Sequence, residues 1–394
     1  MIYRTNGKDG GKVSQLAFGC MRLPRRGRSI DLSASRRLTD RAIDAGVNYF
    51  DTAWMYPGSE TAVGQLLAPH RERVNIATKM PMILVKKPAD FDKYFAASLE
   101  RLATDHIDYY LLHMLTSGGD FEKFAAMGVT EWAEREKARG RIRNFGFSFH
   151  GNAGSFKKII DAYGWDFCMM QYNYIDTEYQ AGTGGLSHAA ARGMPVLVME
   201  PLRGGKLADV PPEARAVFAE SGAARRSPAE WGLRWVWNHP EVLTVLSGMN
   251  TIEQLEENLS IASDAGVGAM GEKELEAVAR AADIINSTIK VPCTGCEYCL
   301  PCPANVNIPA AFRYYNGDVF GSRAGLRMRY AMEAGILPDE TAFASQCTEC
   351  GKCVEHCPQR IDIPRELKAA RAELERFWSR PVAAVAKTFT TGRR

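Results

Sequence analysis

The chain has 394 residues, 46% of them hydrophobic and 24% charged, with a formal net charge of +3. That composition suffices for one large core and a smaller one, and its charge balance implies binding neither to nucleic acid nor to a membrane surface. No run of about 18 apolar residues occurs, and the polar start MIYRTNGKDGGK lacks a signal peptide's apolar stretch, so no spanning helix is expected and the cytoplasm is the expected compartment.

Short apolar, β-rich runs alternate with helical patterns over about the first 290 residues. Strands are predicted at 15–21, 49–53, 74–80, 107–114, 143–149, 167–173, 195–201 and 243–249. Amphipathic stretches such as SASRRLTDRAIDAG and FDKYFAASLERLAT lie between them, and Gly46, Gly140 and Gly193 sit where helix C-terminal caps belong. Eight strands alternating with helices predict an α/β fold, a (β/α)8 TIM barrel of the usual size of about 250 residues; a doubly wound open sheet is the rival. The helix GEKELEAVARAADIINST closes the barrel, which gives a domain over 1–288.

Active sites of such barrels lie at the C-terminal ends of the strands. There the second strand carries Asp51 with Tyr56 five residues on, the third Lys79 and the fourth His113. Each alone has a plain reading: Asp51 caps a helix, and His113 is a hydrogen-bonded core residue. Together they fit the interconversion of a carbonyl and an alcohol. Hydride addition leaves an alkoxide that needs a proton, which a tyrosine supplies more easily beside a cation. Lys79 is the candidate cation, Asp51 its partner, and His113 the donor that orients the substrate oxygen. Cys20, ending the first strand, reads as a buried inert thiol, and Trp54 either walls the pocket or packs against a loop.

These stretches carry a resemblance. DAGVNYFDTAWMY (44–56), IATKM (76–80), DYYLLHM (108–114), GFS (146–148), QYN (171–173), EPLRGGKL (200–207) and SGMNTIEQLEEN (247–258) resemble the aldo-keto reductase family. The resemblance implies Tyr56 as proton donor with Asp51, Lys79 and His113 as partners. It also implies NAD(P)H as cofactor, with Ser148 and Gln171 at the nicotinamide, Ser247 and Gly248 in the same cofactor site, and Glu257 and Asn258 at the adenine. Two departures stand out. The family usually shows Ser-Asn after the fifth strand, where this chain has Ser148-Phe149 followed by His150. The family often has a cation after strand eight for the 2′-phosphate of NADP, where this chain has Met249, Asn250 and Thr251. Arg203 and Lys206, after strand seven, are candidates for a phosphate or for solvated surface.

Eight of the ten cysteines form two runs, CTGCEYCLPCPANVNIP (293–309) and CTECGKCVEHCPQRIDIP (347–364). Cys293, Cys296, Cys299 and Cys302-Pro303 match Cys347, Cys350, Cys353 and Cys357-Pro358, with one extra residue before the fourth cysteine of the second copy. The second copy has the C-x2-C-x2-C-x3-C-P spacing of bacterial ferredoxins, which implies two [4Fe–4S] clusters; zinc is the rival. By that resemblance one cluster takes Cys293, Cys296, Cys299 and Cys357, and the other takes Cys347, Cys350, Cys353 and Cys302. The segment between the runs reads as helical, so a small, mostly helical iron–sulfur domain is expected over 289–380, with 381–394 a loose tail or one packed on a neighbour. The whole reads as a cytoplasmic oxidoreductase acting on a small-molecule carbonyl or alcohol. The alternatives are an enzyme whose clusters feed the barrel, through a flavin and from a redox partner such as ferredoxin, and a non-enzymatic electron carrier or scaffold with a relic barrel.

Overall fold

The structure is a computed structural model that describes residues 1–27, 29–223, 225–317, 323–336 and 341–376; the tail 381–394 lies outside the described residues. The chain forms two compact units. One comprises Met1–Leu202 with Arg226–Val278, the other Arg203–Arg225 with Ala279–Arg394. The helix Glu272–Thr288, at whose end the sequence suggests the first domain closes, spans the division between the units, and the segment after the seventh strand is grouped with the second unit.

In the first unit eight parallel strands close into a barrel. They are β1 (Leu16–Gly19), β2 (Tyr49–Asp51), β3 (Asn75–Met80), β4 (Ile107–Leu115), β5 (Ile142–Phe149), β6 (Phe167–Gln171), β7 (Val196–Met199) and β8 (Val242–Ser247). Each pairs with its neighbour in sequence, and β8 pairs with β1. The predicted caps after the helices are present: Gly46, Gly140 and Gly193 all have positive φ. Two antiparallel hairpins, Tyr3–Thr5 with Lys12–Ser14 and Arg25–Arg26 with Ser29–Ile30, are additions to the predicted pattern.

Side chains alternate along a strand, so residues two apart share a face. Inside the barrel Ala17, Tyr49, Ala77, Tyr109, Leu111, Phe167, Met169 and Leu197 form a dry cluster. Two residues further toward the C-terminal end of the same rows stand Asp51 above Tyr49, Lys79 above Ala77, His113 above Leu111 and Gln171 above Met169. The apolar plug therefore ends where the polar residues begin, and burial of the plug holds their strands in register.

The second unit is built on the internal repeat. Asn307 accepts a hydrogen bond from Ala310 N (3.2 Å) to cap the helix Ile308–Tyr315, and Asp362 accepts from Arg365 N (3.3 Å) to cap Ile363–Leu374. Each helix has its proline in the first turn, where a missing N–H costs nothing. The two helices pack together over Ile308, Phe312, Ile363 and Leu367, all buried, and the helix Arg323–Ala331 joins the same core. Equivalent positions of the two copies take left-handed backbone: Gly295 and Glu349, Glu297 and Gly351, Asn305 and Arg360. The repeat is thus one of backbone shape as well as of cysteine spacing. No helix among the described residues is long and apolar enough to cross a membrane.

Candidate active site and cysteine pockets

At the C-terminal mouth of the barrel, Lys79 Nζ donates to Asp51 Oδ2 at 2.5 Å and to the Thr52 carbonyl at 2.7 Å. Both side chains are buried. Burial pushes the Asp51 carboxyl up and the Lys79 ammonium down, and the attraction between them opposes both shifts. Lys79 Nζ also lies 5.1 Å from the centre of the Tyr56 ring. The Tyr56 ring meets the His113 ring edge-on, with centroids 6.0 Å apart. His113 is buried, and desolvation, then Lys79 and His150, hold its imidazole well below the usual range, so the ring is neutral at pH 7. The structure thus brings Asp51, Tyr56, Lys79 and His113 into one cluster. The arrangement offers a half-buried phenol beside a fixed cation and a neutral imidazole.

In the second unit the cysteines line two pockets. The first is walled by Cys293, Cys296, Cys299 and Cys357, the second by Cys302, Cys347, Cys350 and Cys353. Each run therefore lends its fourth cysteine to the other's pocket, the grouping the ferredoxin resemblance implies. Each pocket encloses about 300 Å³, part of it open to solvent. Among the described residues no three such ligands converge closely enough for a single metal ion; the thiols of each pocket surround a larger space. Burial pushes the Cys299 thiol up and that of Cys353 up to about 11.

Comparison with known proteins agrees with both halves. Residues 15–267 match the Aldo/keto reductase family. The chain belongs to that family. Residues 292–361 match a 4Fe-4S dicluster domain. This aldo/keto reductase is 27% identical to the holo form of aldo-keto reductase AKR11C1 from Bacillus halodurans, with a TM-score of 0.60 over 71% of this chain and 96% of that one. It is 25% identical to the uncharacterized oxidoreductase YrpG of Bacillus subtilis, over 66% of this chain and 90% of the relative. It is 29% identical to the methylglyoxal reductase YeaE of Escherichia coli, over 58% and 80%. It is accordingly an aldo/keto-reductase-like oxidoreductase that carries an iron–sulfur domain.

The residues expected around the cofactor are placed as follows. Ser148 Oγ accepts from Met114 N at 2.9 Å. Gln171 uses both ends of its carboxamide, donating to Asp176 Oδ2 (2.8 Å) and accepting from Gln180 Nε2 (3.1 Å). Asn258 donates to Ser247 Oγ at 2.9 Å, which ties the helix Ile252–Asp264 to the end of β8, while Glu257 is exposed. Gly248 packs against the Arg22 side chain. After β8, Met249 is buried, Asn250 N donates to Gln254 Oε1 (3.0 Å) and Thr251 caps the helix. Arg203 and Lys206 lie in the turn Arg203–Ala208, which is grouped with the second unit.

Cys20 is buried; burial and the Asp51 carboxylate raise its thiol, which fits an inert residue. Trp54 packs edge-on against Tyr94 (5.2 Å) and under the Arg101 guanidinium (4.6 Å), both on the helix Ala89–Leu102 rather than on a loop. The residue the sequence did not single out for the site is His150. It is buried, the Lys79 charge acts on it, and its own acts on His113. Its one signal in the sequence was the alternation Gly146, Ser148, His150, which carries the inner face of β5 one step past the strand end.

Proposed function

We propose that the barrel interconverts a small-molecule carbonyl and its alcohol, with a nicotinamide dinucleotide as partner and Tyr56 as the general acid and base. The observation that carries this reading is the Asp51–Lys79–Tyr56–His113 cluster at the barrel mouth. When bound, the nicotinamide supplies or removes a hydride at the carbonyl carbon. In the reducing direction Tyr56 Oη gives its proton to the carbonyl oxygen, so that the product is a neutral alcohol. Lys79 stabilises the phenolate left behind, and Asp51 holds the ammonium in place. Neutral His113 donates to the substrate oxygen and orients it. In the oxidising direction the Tyr56 phenolate takes the proton back from the alcohol hydroxyl.

The segment Met249-Asn250-Thr251 offers no cation to a 2′-phosphate, which supports little preference for NADP over NAD. The two cysteine pockets fit one [4Fe–4S] cluster each, with ligands Cys293, Cys296, Cys299 and Cys357 in one and Cys302, Cys347, Cys350 and Cys353 in the other. Such clusters pass single electrons, which suits exchange with a protein partner such as a ferredoxin. They also suit a reducing compartment such as the cytoplasm.

The test is an anaerobic preparation titrated with NADH and NADPH, then assayed on a panel of carbonyl compounds. The panel includes methylglyoxal, after the activity named for the Escherichia coli relative. Dinucleotide-dependent turnover that vanishes in Tyr56→Phe is the expected result. A grip on NADPH about a hundredfold tighter than on NADH would overturn the cofactor preference. Binding of neither, with a yellow cofactor released on denaturation, would replace the nicotinamide by a flavin.

A further inference from the structure

The two cysteine runs share a threonine directly after the first cysteine, in CTGC and CTEC: Thr294 and Thr348. Each lines the pocket built mainly by its own run. The residues that follow, Gly295 and Glu349, take the same left-handed backbone, so the two threonines hold equivalent places in the repeat. Their surroundings differ. Thr348 is exposed, with exposed Glu349 and Cys350 after it, whereas Thr294 is only 4% exposed. The segment leading into Thr294 is tied down. The Asn316 side chain accepts from Val291 N at 2.8 Å and donates to the Val291 carbonyl at 2.7 Å, and Cys293 N donates to that same carbonyl at 2.8 Å.

The Thr294 hydroxyl is buried and has no hydrogen-bond partner among the described residues. A hydroxyl is both donor and acceptor, and its proton rotates to meet whatever acceptor lies within reach. A buried one left without a partner is costly, and such a group in a folded protein calls for an explanation, an ion or other group that completes it among them. The pocket that Thr294 lines is walled by Cys293, Cys296, Cys299 and Cys357, with Ile308, Phe312, Ile361 and Ile363 among the apolar side chains between them. The acceptors such a pocket gains on loading are sulfurs, the thiolates of its cysteines and the sulfides of a [4Fe–4S] cluster. Among apolar neighbours a hydrogen bond to them is worth more than at a surface, where water competes.

We infer that Thr294 sets the reduction potential of the cluster in its pocket: its hydroxyl donates a hydrogen bond to a sulfur of that cluster and makes the cluster easier to reduce. The inference rests on the reading that [4Fe–4S] clusters fill the two pockets. Reduction adds one electron to the cluster, taking its core from a charge of 2+ to 1+, while the proton stays on Thr294 Oγ. The sulfurs are more negative after that step, so the donated bond strengthens and favours the reduced form. The Thr348 hydroxyl is exposed to water and has no such effect. The two centres are therefore unequal although their cysteines repeat.

The test is protein-film voltammetry of the full-length, anaerobically purified protein, with iron and sulfide content measured on the same samples. Wild type is set beside Thr294→Val, Thr294→Ser and Thr348→Val. Thr294→Val keeps the shape of the side chain and removes the hydroxyl. It should lower one of the two midpoint potentials by about tenfold in the reduction equilibrium, the worth of one hydrogen bond and about 59 mV for one electron. Thr294→Ser should keep the wild-type value, and Thr348→Val should leave both potentials in place. Wild-type potentials in Thr294→Val, or an equal shift from Thr348→Val, overturn the inference. Should Thr294→Val lose the iron of one cluster while Thr294→Ser keeps it, the hydroxyl is again what meets the cluster. Loss from both variants means that the side chain only packs there, and overturns the inference. Failure of the parent reading looks different: wild-type protein then holds no iron or acid-labile sulfide and gives no midpoint to measure, and the inference falls with it.

Discussion

The hydroxyl of Ser148 on β5 accepts a hydrogen bond from the backbone N–H of Met114 on β4, at 2.9 Å. Met114 has a φ of 61°, in the left-handed region, and the pairing of β4 with β5 shifts register between Leu112 and Leu115. His113 stands inside that irregularity. The Ser148 bond therefore holds a strained turn that aims the imidazole. Ser148→Ala should cost about 1–3 kcal/mol in urea unfolding, the price of a lost buried partner. It should lower kcat more than it weakens dinucleotide binding. An unchanged kcat with a weaker grip on dinucleotide would place Ser148 on the cofactor instead.

Tyr56→Phe keeps the ring that Lys79 and His113 pack against and removes only the hydroxyl. Turnover should fall by about 10² to 10⁴, the usual worth of a general acid, with dinucleotide affinity nearly unchanged. More than about a tenth of wild-type kcat, measured where chemistry limits the rate, would remove Tyr56 from that role.

Lys79→Met leaves the Asp51 carboxylate buried without its cation. Breaking a buried pair in this way should destabilise the barrel by about 3–5 kcal/mol. Removing both charges, as in Asp51→Leu with Lys79→Met, should recover most of that stability and none of the activity. A double variant as unstable as the single one would mean that packing, not the stranded charge, sets the cost.

Burial holds the His150 imidazole down at about 4, below its ordinary 6.5. Between those two values the unfolded chain binds a proton there that the folded chain refuses. Stability therefore declines as pH falls from 6.5 toward 4, by roughly 3 kcal/mol for this ring at about 1.4 kcal/mol per unit. His113 acts in the same direction. Unfolding midpoints of wild type and His150→Asn, followed from pH 7 to pH 4.5, isolate the ring by difference. Parallel curves for the two proteins would show that the ring is not held neutral.

Iron and acid-labile sulfide should each approach about eight per chain in anaerobic protein, as two cubanes require. Cys302→Ala should disturb the cluster of Cys347, Cys350 and Cys353, since that is the pocket it completes. Mössbauer or EPR spectra in which only the first-run cluster changes would show that each run serves itself.

Much of this architecture was written locally in the chain. The alternation of strands and helices set the barrel, and the two-residue period set the inward rows that end in Asp51, Lys79, His113 and Gln171. The cysteine repeat was equally legible, because its spacing recurs down to the Asn/Asp-Ile-Pro that caps each following helix. His150 was harder to read. Its environment depends on Gly151 passing the Thr116 carbonyl just beyond β4 and on Gln180 from the loop after β6, where φ is 57°. Neither leaves a local signature. The turn that holds Arg203 and Lys206 follows the seventh strand as its place in the sequence implies, but the grouping of Arg203–Arg225 with the second unit leaves no local signature.

The exchange of fourth cysteines between the two pockets also fixes an order of events during synthesis. When the first run has left the ribosome, its pocket still lacks Cys357, and Cys302 has nothing to complete. Neither centre has its full ligand set until the chain has grown past residue 357, so a truncated or stalled product would hold no finished centre, and maturation becomes a checkpoint on the length of chain already made.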